Sequence, residues 1–294
     1  MRRLFYILTI LFLVSCEQNV TYDAQGIFEA TEVIISSEAT GRILNFNVAE
    51  GELVEASTVV GAIDSMQLHL QRKQLVAQQS ALLSSRPDKE KQVASLRKQI
   101  ATMKNELKRV DNMLRDGAAT QKQYDDIASQ INILEGQLSA NLSTLDNNTL
   151  TINENAAALE AQIAALNDRI EKCCITSAVR GTVLVKYAEA GEYATVGKPM
   201  MKVADLDNVY LRAYFTSDQL SKVNLGEEVK VIADFGGEER YEYVGRVAWV
   251  SSESEFTPKS IQTKDSRANL VYAVKIAVKN DGRLKIGLAG EVIL

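Results

Sequence analysis

Apolar residues recur along this chain with two different periods, and the period switches twice. From 36 to 65, and again from 173 to 206, they alternate with polar residues, the pattern of half-buried strands. Between those stretches, from 66 to 172, they fall every third or fourth residue, the pattern of helices packed along one side. After 207 alternation returns in short runs separated by turn residues: 209–215, 228–235, 243–250, Leu270 to Val278 and Glu291 to Leu294. Such runs predict a small barrel or sandwich, with Ser217-Asp218-Gln219-Leu220 as a helical turn between strands.

The first two alternating stretches are copies of each other. Gly41-Arg-Ile-Leu-Asn-Phe-Asn-Val-Ala-Glu-Gly51-Glu52-Leu53 is echoed by Gly181-Thr-Val-Leu-Val-Lys-Tyr-Ala-Glu-Ala-Gly191-Glu192-Tyr193. Each runs on to an apolar stretch ending in Asp64 or Asp205, the second with one extra residue. One small β unit is thus written in two halves around a helical insert.

Within the insert, Val93, Leu96, Ile100, Met103, Leu107, Val110 and Leu114 are spaced 3, 4, 3, 4, 3, 4, a coiled-coil seam. The returning arm has Ile127, Ile131, Leu134 and Leu138, then Leu145, Ile152 and Leu159 at sevens, then Ile163, Leu166 and Ile170 after a drift in register. A strict heptad puts Asn141, Asn148 and Asn155 at the intermediate seam positions. Across from them lies Ser84-Ser85-Arg86-Pro87-Asp88, where Pro should kink or restart the outgoing helix. Gly117 and Thr120 mark the turn, as a helix-stopping residue and an N-cap with Gln123 at capping-box spacing. Each arm would be roughly 75 Å long at ~1.5 Å per residue.

Composition excludes several functions. The chain has 294 residues, net charge −5 and a single His, His69, so a nucleic-acid partner and a His/Cys metal site are not indicated. His69 reads as an exposed residue at a helix start. No catalytic constellation or phosphate loop stands out, Gly236-Gly237 being a turn, and no cofactor is implied. Arg2-Arg3 and the apolar run Leu4 to Val14 read as a signal peptide, too short to span a bilayer. It ends in Leu13-Val14-Ser15-Cys16, which resembles a bacterial lipobox and implies lipidation of Cys16. Adjacent Cys173 and Cys174 read as small buried packing residues.

Together these features resemble the periplasmic adaptor, or membrane fusion protein, family (HlyD-like). Glu29-Ala-Thr-Glu-Val and Ser36-Ser-Glu-Ala-Thr-Gly-Arg-Ile are similar to the strand leading into its lipoyl-like domain. Thr176-Ser177-Ala178-Val179-Arg180-Gly181-Thr182-Val183 is similar to the re-entry motif, with Ala178 where the family usually has Pro. Ala204-Asp205-Leu206-Asp207 resembles the junction to the barrel. Phe256-Thr257-Pro258-Lys259 through Gln262-Thr263, then Leu270-Val271-Tyr272-Ala273-Val274-Lys275, resembles a subgroup linked to ABC-type exporters.

The resemblance implies an α+β fold: a split lipoyl-like (barrel-sandwich hybrid) β domain interrupted by a long antiparallel coiled-coil hairpin, then a small β-barrel. The divisions expected are a signal peptide over 1–15, an anchor linker and leading strand over 16–35, half-domains over 36–65 and 173–206, the hairpin over 66–172, and the barrel over 207–294. The resemblance also implies a non-enzymatic adaptor in the periplasm of a Gram-negative bacterium, lipid-anchored to the inner membrane. It would join an inner-membrane transporter, an ABC permease in preference to a proton-driven pump, to an outer-membrane channel duct. Adaptors of this family form rings, commonly of six.

The family's Arg-Leu-Ser tip pattern falls on Arg109, Met113 and Thr120, around Gly117 and followed by Tyr124-Asp125. Met replaces Leu and Thr replaces Ser, keeping an apolar contact and a hydroxyl. These residues are the expected duct-docking site, and a charge change at Lys89, far down the arm, should leave docking untouched. Two readings compete: a lipid-anchored coiled-coil scaffold without transport, and a biotinyl or lipoyl carrier. A carrier needs a modified Lys on a tight turn between its halves, and here Lys198 and Lys202 lie inside the second half.

Overall fold

The structure, a computed structural model, describes residues 22–236, 240–256 and 270–294. The expected signal peptide, Cys16, Gly237 and the stretch Thr257 through Thr263 lie outside the described residues.

The internal repeat folds as a pair of interlocked halves. The first supplies β2 (Glu32–Ser36), β3 (Gly41–Phe46), β4 (Leu53–Val54) and β5 (Val59–Ile63). The second supplies β6 (Cys174–Thr176), β7 (Gly181–Lys186), β8 (Tyr193–Ala194) and β9 (Pro199–Ala204). They form two four-stranded sheets, ordered β2-β9-β7-β4 and β6-β5-β3-β8, so each sheet takes strands from both halves. Matching positions exchange matching bonds. Gly41 pairs with Ala194 while Gly181 pairs with Val54. Gly191 N–H donates to Ile43 O at 2.8 Å, and Gly51 N–H donates to Val183 O at 2.8 Å. The inward residues Ile43, Ile63, Val183, Met200, Met201 and Val203 make one shared core. Neither half has a core of its own, which is why a sequence interrupted by a hundred residues still closes on itself.

The helical insert leaves the β unit from two neighbouring strands, since Ile63 N–H donates to Cys173 O at 2.8 Å. The outgoing arm is two helices, α1 (Met66–Ser84) and α2 (Lys89–Arg115), and the return is one, α3 (Gln121–Glu171). The break falls where Pro87 predicts it. Asp88 starts α2 as its N-cap, its carboxylate accepting from Lys91 N–H at 3.1 Å.

The seam of the returning arm differs from the strict heptad. Asn141, Asn148 and Asn155 are exposed, and Leu142, Thr149 and Ala156 take the inward positions instead. From Leu134 the inward residues step 4, 4, 3, 4, 3, 4 through Leu138, Leu142, Leu145, Thr149, Ile152 and Ala156. A single extra residue in the repeat lets a 3.6-residue helix turn its polar neighbours outward. The asparagines therefore do not occupy the seam positions that a strict heptad gives them.

The barrel closes in the order β1-β10-β13-β12-β11-β14. Five strands come from the C-terminal part: β10 (Asn208–Thr216), β11 (Glu228–Asp234), β12 (Arg240–Phe256), β13 (Leu270–Lys279) and β14 (Ala289–Ile293). The sixth, β1 (Ala24–Glu29), comes from the segment expected to be linker and leading strand, so the barrel is not confined to 207–294. Gly26 makes this closure feasible, because a Cβ there would lie 2.2 Å from Arg212 O. The turn expected at 217–220 is α4 (Ser217–Leu220), capped by Thr216. Asp205 and Asn280 hold the barrel to the β unit. The Asp205 carboxylate accepts from Asp207 N–H at 3.0 Å and from Asn208 Nδ2 at 2.9 Å. Asn280 donates from Nδ2 to Leu206 O at 2.7 Å.

Candidate functional site: the hairpin tip

The tip is built from two reinforcing caps. At the end of α2, Ala118 N–H donates to Met113 O at 2.7 Å and Gly117 N–H donates to Leu114 O at 3.1 Å. That is a Schellman arrangement, and Gly117 takes the positive φ it needs, 76°. Three residues on, the Thr120 hydroxyl accepts from Gln123 N–H while Gln123 Oε1 accepts from Thr120 N–H at 2.9 Å. Both helix ends are thereby closed without help from a partner. The connection is short, and the N–H groups of Gly117, Ala118, Thr120 and Gln123 all have partners within it, which holds the tip in one shape.

The expected site residues all lie at this end of the hairpin, with different exposures. The Arg109 side chain is 70% exposed and its Nη2 donates to Glu106 Oε1 at 2.5 Å. Met113 is 40% exposed, large for an apolar side chain next to a coiled-coil seam. Thr120 and Asp125 are exposed, and Tyr124 is half-buried. Asp125 accepts from Gln121 Nε2 at 2.8 Å. Beneath them Val110 and Ile131 are buried and brace the surface. Sequence reasoning missed Glu106, Asp111 and Gln121. Glu106 holds Arg109, Asp111 pairs with Arg115 at 2.5 Å, and Gln121 holds Asp125. The signal was present as 3- and 4-residue spacings on a helix face.

The chosen distant control does not stand. Lys89 forms an ion pair with Asp146 across the hairpin at the break, so changing its charge alters the joint between the arms. Lys98 is an exposed position higher on α2 and serves better.

At the base, Cys173 is buried, its Sγ donating to Arg169 O at 3.3 Å, and burial pushes its thiol pKa up. Cys174 is exposed, contrary to the packing role expected of both, and both are free thiols. Exposure follows from position: β6 is an edge strand, and its alternation turns 173 and 175 inward. His69 is exposed near the start of α1. Lys198 pairs with Glu192 and Lys202 with Glu32, each at 2.8 Å. Among the described residues no cluster of potential metal ligands occurs, and no helix is long and apolar enough to cross a membrane.

A split lipoyl-like domain, a helical hairpin grown from it and a small barrel together define the membrane fusion protein fold. Among solved structures, the chain is similar to MacA from Actinobacillus actinomycetemcomitans, with a TM-score of 0.55 and 18% identity, over 92% of this chain and 76% of that one. It is similar to the membrane fusion protein Spr0693 from Streptococcus pneumoniae R6 with the same TM-score and 15% identity, over 92% of this chain and 99% of that one. A curated relative, the UPF0194 membrane protein YE2891 of Yersinia enterocolitica, is 32% identical over 120 residues. That match takes in 40% of this chain and 36% of the relative, so the chain spans about a third of the length of the relative it matches. No family model matches the chain.

Proposed function

We propose that this protein is a periplasmic adaptor without enzymatic activity, coupling an inner-membrane exporter to an outer-membrane exit duct. The observation that supports this best is the placement of a fully capped tip at the end of a helix of 51 residues, as far from the β unit and barrel as the hairpin reaches. Such a rod suits bridging two partners. In this reading Cys16 carries the lipid that holds the protein at the inner membrane, since more than one acyl chain gives a stable anchor. An ABC-type exporter is the motor favoured by the stretch from Phe256 to Lys275. Copies pack side by side into a ring, commonly of six, so that neighbouring hairpins enclose a conduit. The rival carrier reading is disfavoured because both lysines are held in ion pairs, Lys202 with Glu32 between paired strands and Lys198 with Glu192 beside the Gly197 turn.

The test is cross-linking in cells followed by export measurement. The adaptor reading expects oligomers linked to a transporter, and loss of both export and membrane attachment in Cys16→Ala. A monomer that carries no linked transporter, in cells whose export is unaffected by deleting the gene, contradicts it.

A further inference from the structure

The hairpin is not uniform along its length. On α2 the residues Val93, Ile100 and Val110 are buried, and on the facing part of α3 so are Ile131, Leu134 and Leu145. On α1 no residue is buried, although Leu70 and Val76 are large and apolar. On the part of α3 that faces α1, Ala156 and Leu166 are buried, so the hairpin packs separately on either side of the break.

Between the two parts each helix is finished independently. Ser85 and Arg86 N–H groups donate back to Leu82 O and Leu83 O, at 3.1 and 3.3 Å, closing α1. Asp88 caps α2. No helical hydrogen bond has to break for α2 to tilt relative to α1. Across the gap, α3 is continuous but adapted: Thr144, Thr149 and Thr151 turn their hydroxyls onto Ala140, Leu145 and Asn147 carbonyls at 3.0, 2.7 and 3.0 Å. Hydroxyls bonded back in this way loosen and bend helices. Of the next inward residues, Thr149 and Ala156 are small, leaving Ile152 as the one large apolar side chain between them. Two polar ties cross the arms here, the Lys89–Asp146 pair and Gln79 Nε2 donating to Ala156 O at 3.1 Å. The ion pair, open to solvent on the Asp146 side, holds weakly.

We propose that the hairpin is jointed at Ser85–Asp88: the distal segment around 89–145 moves as a rigid rod, and α3 flexes over 146–156. The inference goes beyond the adaptor reading and concerns the isolated protein, so it stands or fails without any transporter.

Spin labels on the full chain test it, attached through a ketone-bearing amino acid so that Cys173 and Cys174 are untouched. One pair, at Gln74 and Lys122, spans the joint; the other, at Lys98 and Lys122, lies within the distal rod. The spanning pair should give a distance distribution at least roughly twofold wider than the distal pair. The double variant Ser85→Ala, Pro87→Ala, which allows α1 and α2 to join, should narrow it to the distal width. Hydrogen exchange on the unaltered chain gives a second readout, with amides 146–156 exchanging about tenfold faster than 128–138. Equal widths for the two pairs, uniform exchange along α3, or a spanning pair still broad once the helices have joined would each overturn the joint.

Discussion

Ser57 and Gly197 occupy the same place in two copies of one turn, and only one of them suits it. Both have positive φ, 63° and 85°, and both donate N–H across the pseudo-twofold, Ser57 to Ser177 O at 2.7 Å and Gly197 to Ser37 O at 2.8 Å. A side chain in this region costs about 1–2 kcal/mol, which Gly avoids. Glycine's greater freedom in the unfolded chain offsets part of that. Ser57→Gly should therefore raise unfolding stability by about 0.5 kcal/mol and Gly197→Ala should lower it by about 1 kcal/mol, measured by urea denaturation. A destabilising Ser57→Gly would show that the hydroxyl does more than tolerate the turn. Asp205 gives a pH-dependent counterpart. Its carboxyl is held below the ordinary carboxylate range, first by the Asn208 side chain and then by the backbone N–H groups of Asp207 and Asn208. A lowered folded pKa contributes stability above the unfolded value near 4, and that stability is lost as pH falls through the folded value. Asp205→Asn should cost about 1 kcal/mol at neutral pH, discounted for partial exposure, and progressively less as the pH falls below the unfolded value and through the folded one.

At the scale of elements, the hairpin behaves as an insertion. Its ends emerge from β5 and β6, which pair as neighbours, Ala62 opposite Cys174. Replacing 66–172 by a short turn should leave the β unit and barrel folded, with far-ultraviolet circular dichroism losing its helical signal and a cooperative melt remaining. Loss of cooperative folding would mean the β unit depends on the hairpin for its stability. The same element shows how far the sequence could be read. Strand alternation, the Pro87 break, the Gly117 and Thr120 caps and the 93–114 seam were legible because each depends on local spacing. The inward register of 141–156 was not. A strict heptad does not describe a helix that slips by one residue to turn Leu142 inward in place of Asn141. The use of Ala24–Glu29 to close the barrel was hidden as well, because the strands beside it, β10 and β14, lie some 180 residues or more further along the chain. At the tip, the spacing of Arg109, Met113 and Thr120 was visible, but their exposure and the Glu106 partner depend on which face the seam leaves outward.

For the whole molecule, everything rests on the tip being a contact. The barrel and β unit set its distance, the two caps set its shape, and Arg109, Met113 and Thr120 supply a charge, an apolar surface and a hydroxyl at one end of the rod. In the proposed contact the most sensitive side chain is Arg109, whose guanidinium offers five donors and spends only part of that capacity on Glu106. Truncating or reversing one partner of a buried charged contact costs roughly 2–5 kcal/mol. The deciding measurement is export in cells carrying Arg109→Asp beside Lys98→Glu, with folding of both checked by helical circular dichroism. The account expects Arg109→Asp to abolish export with its helical signal unchanged, and Lys98→Glu to export normally. Export at the normal level from Arg109→Asp, or failure only because the hairpin has unfolded, would contradict a docking tip.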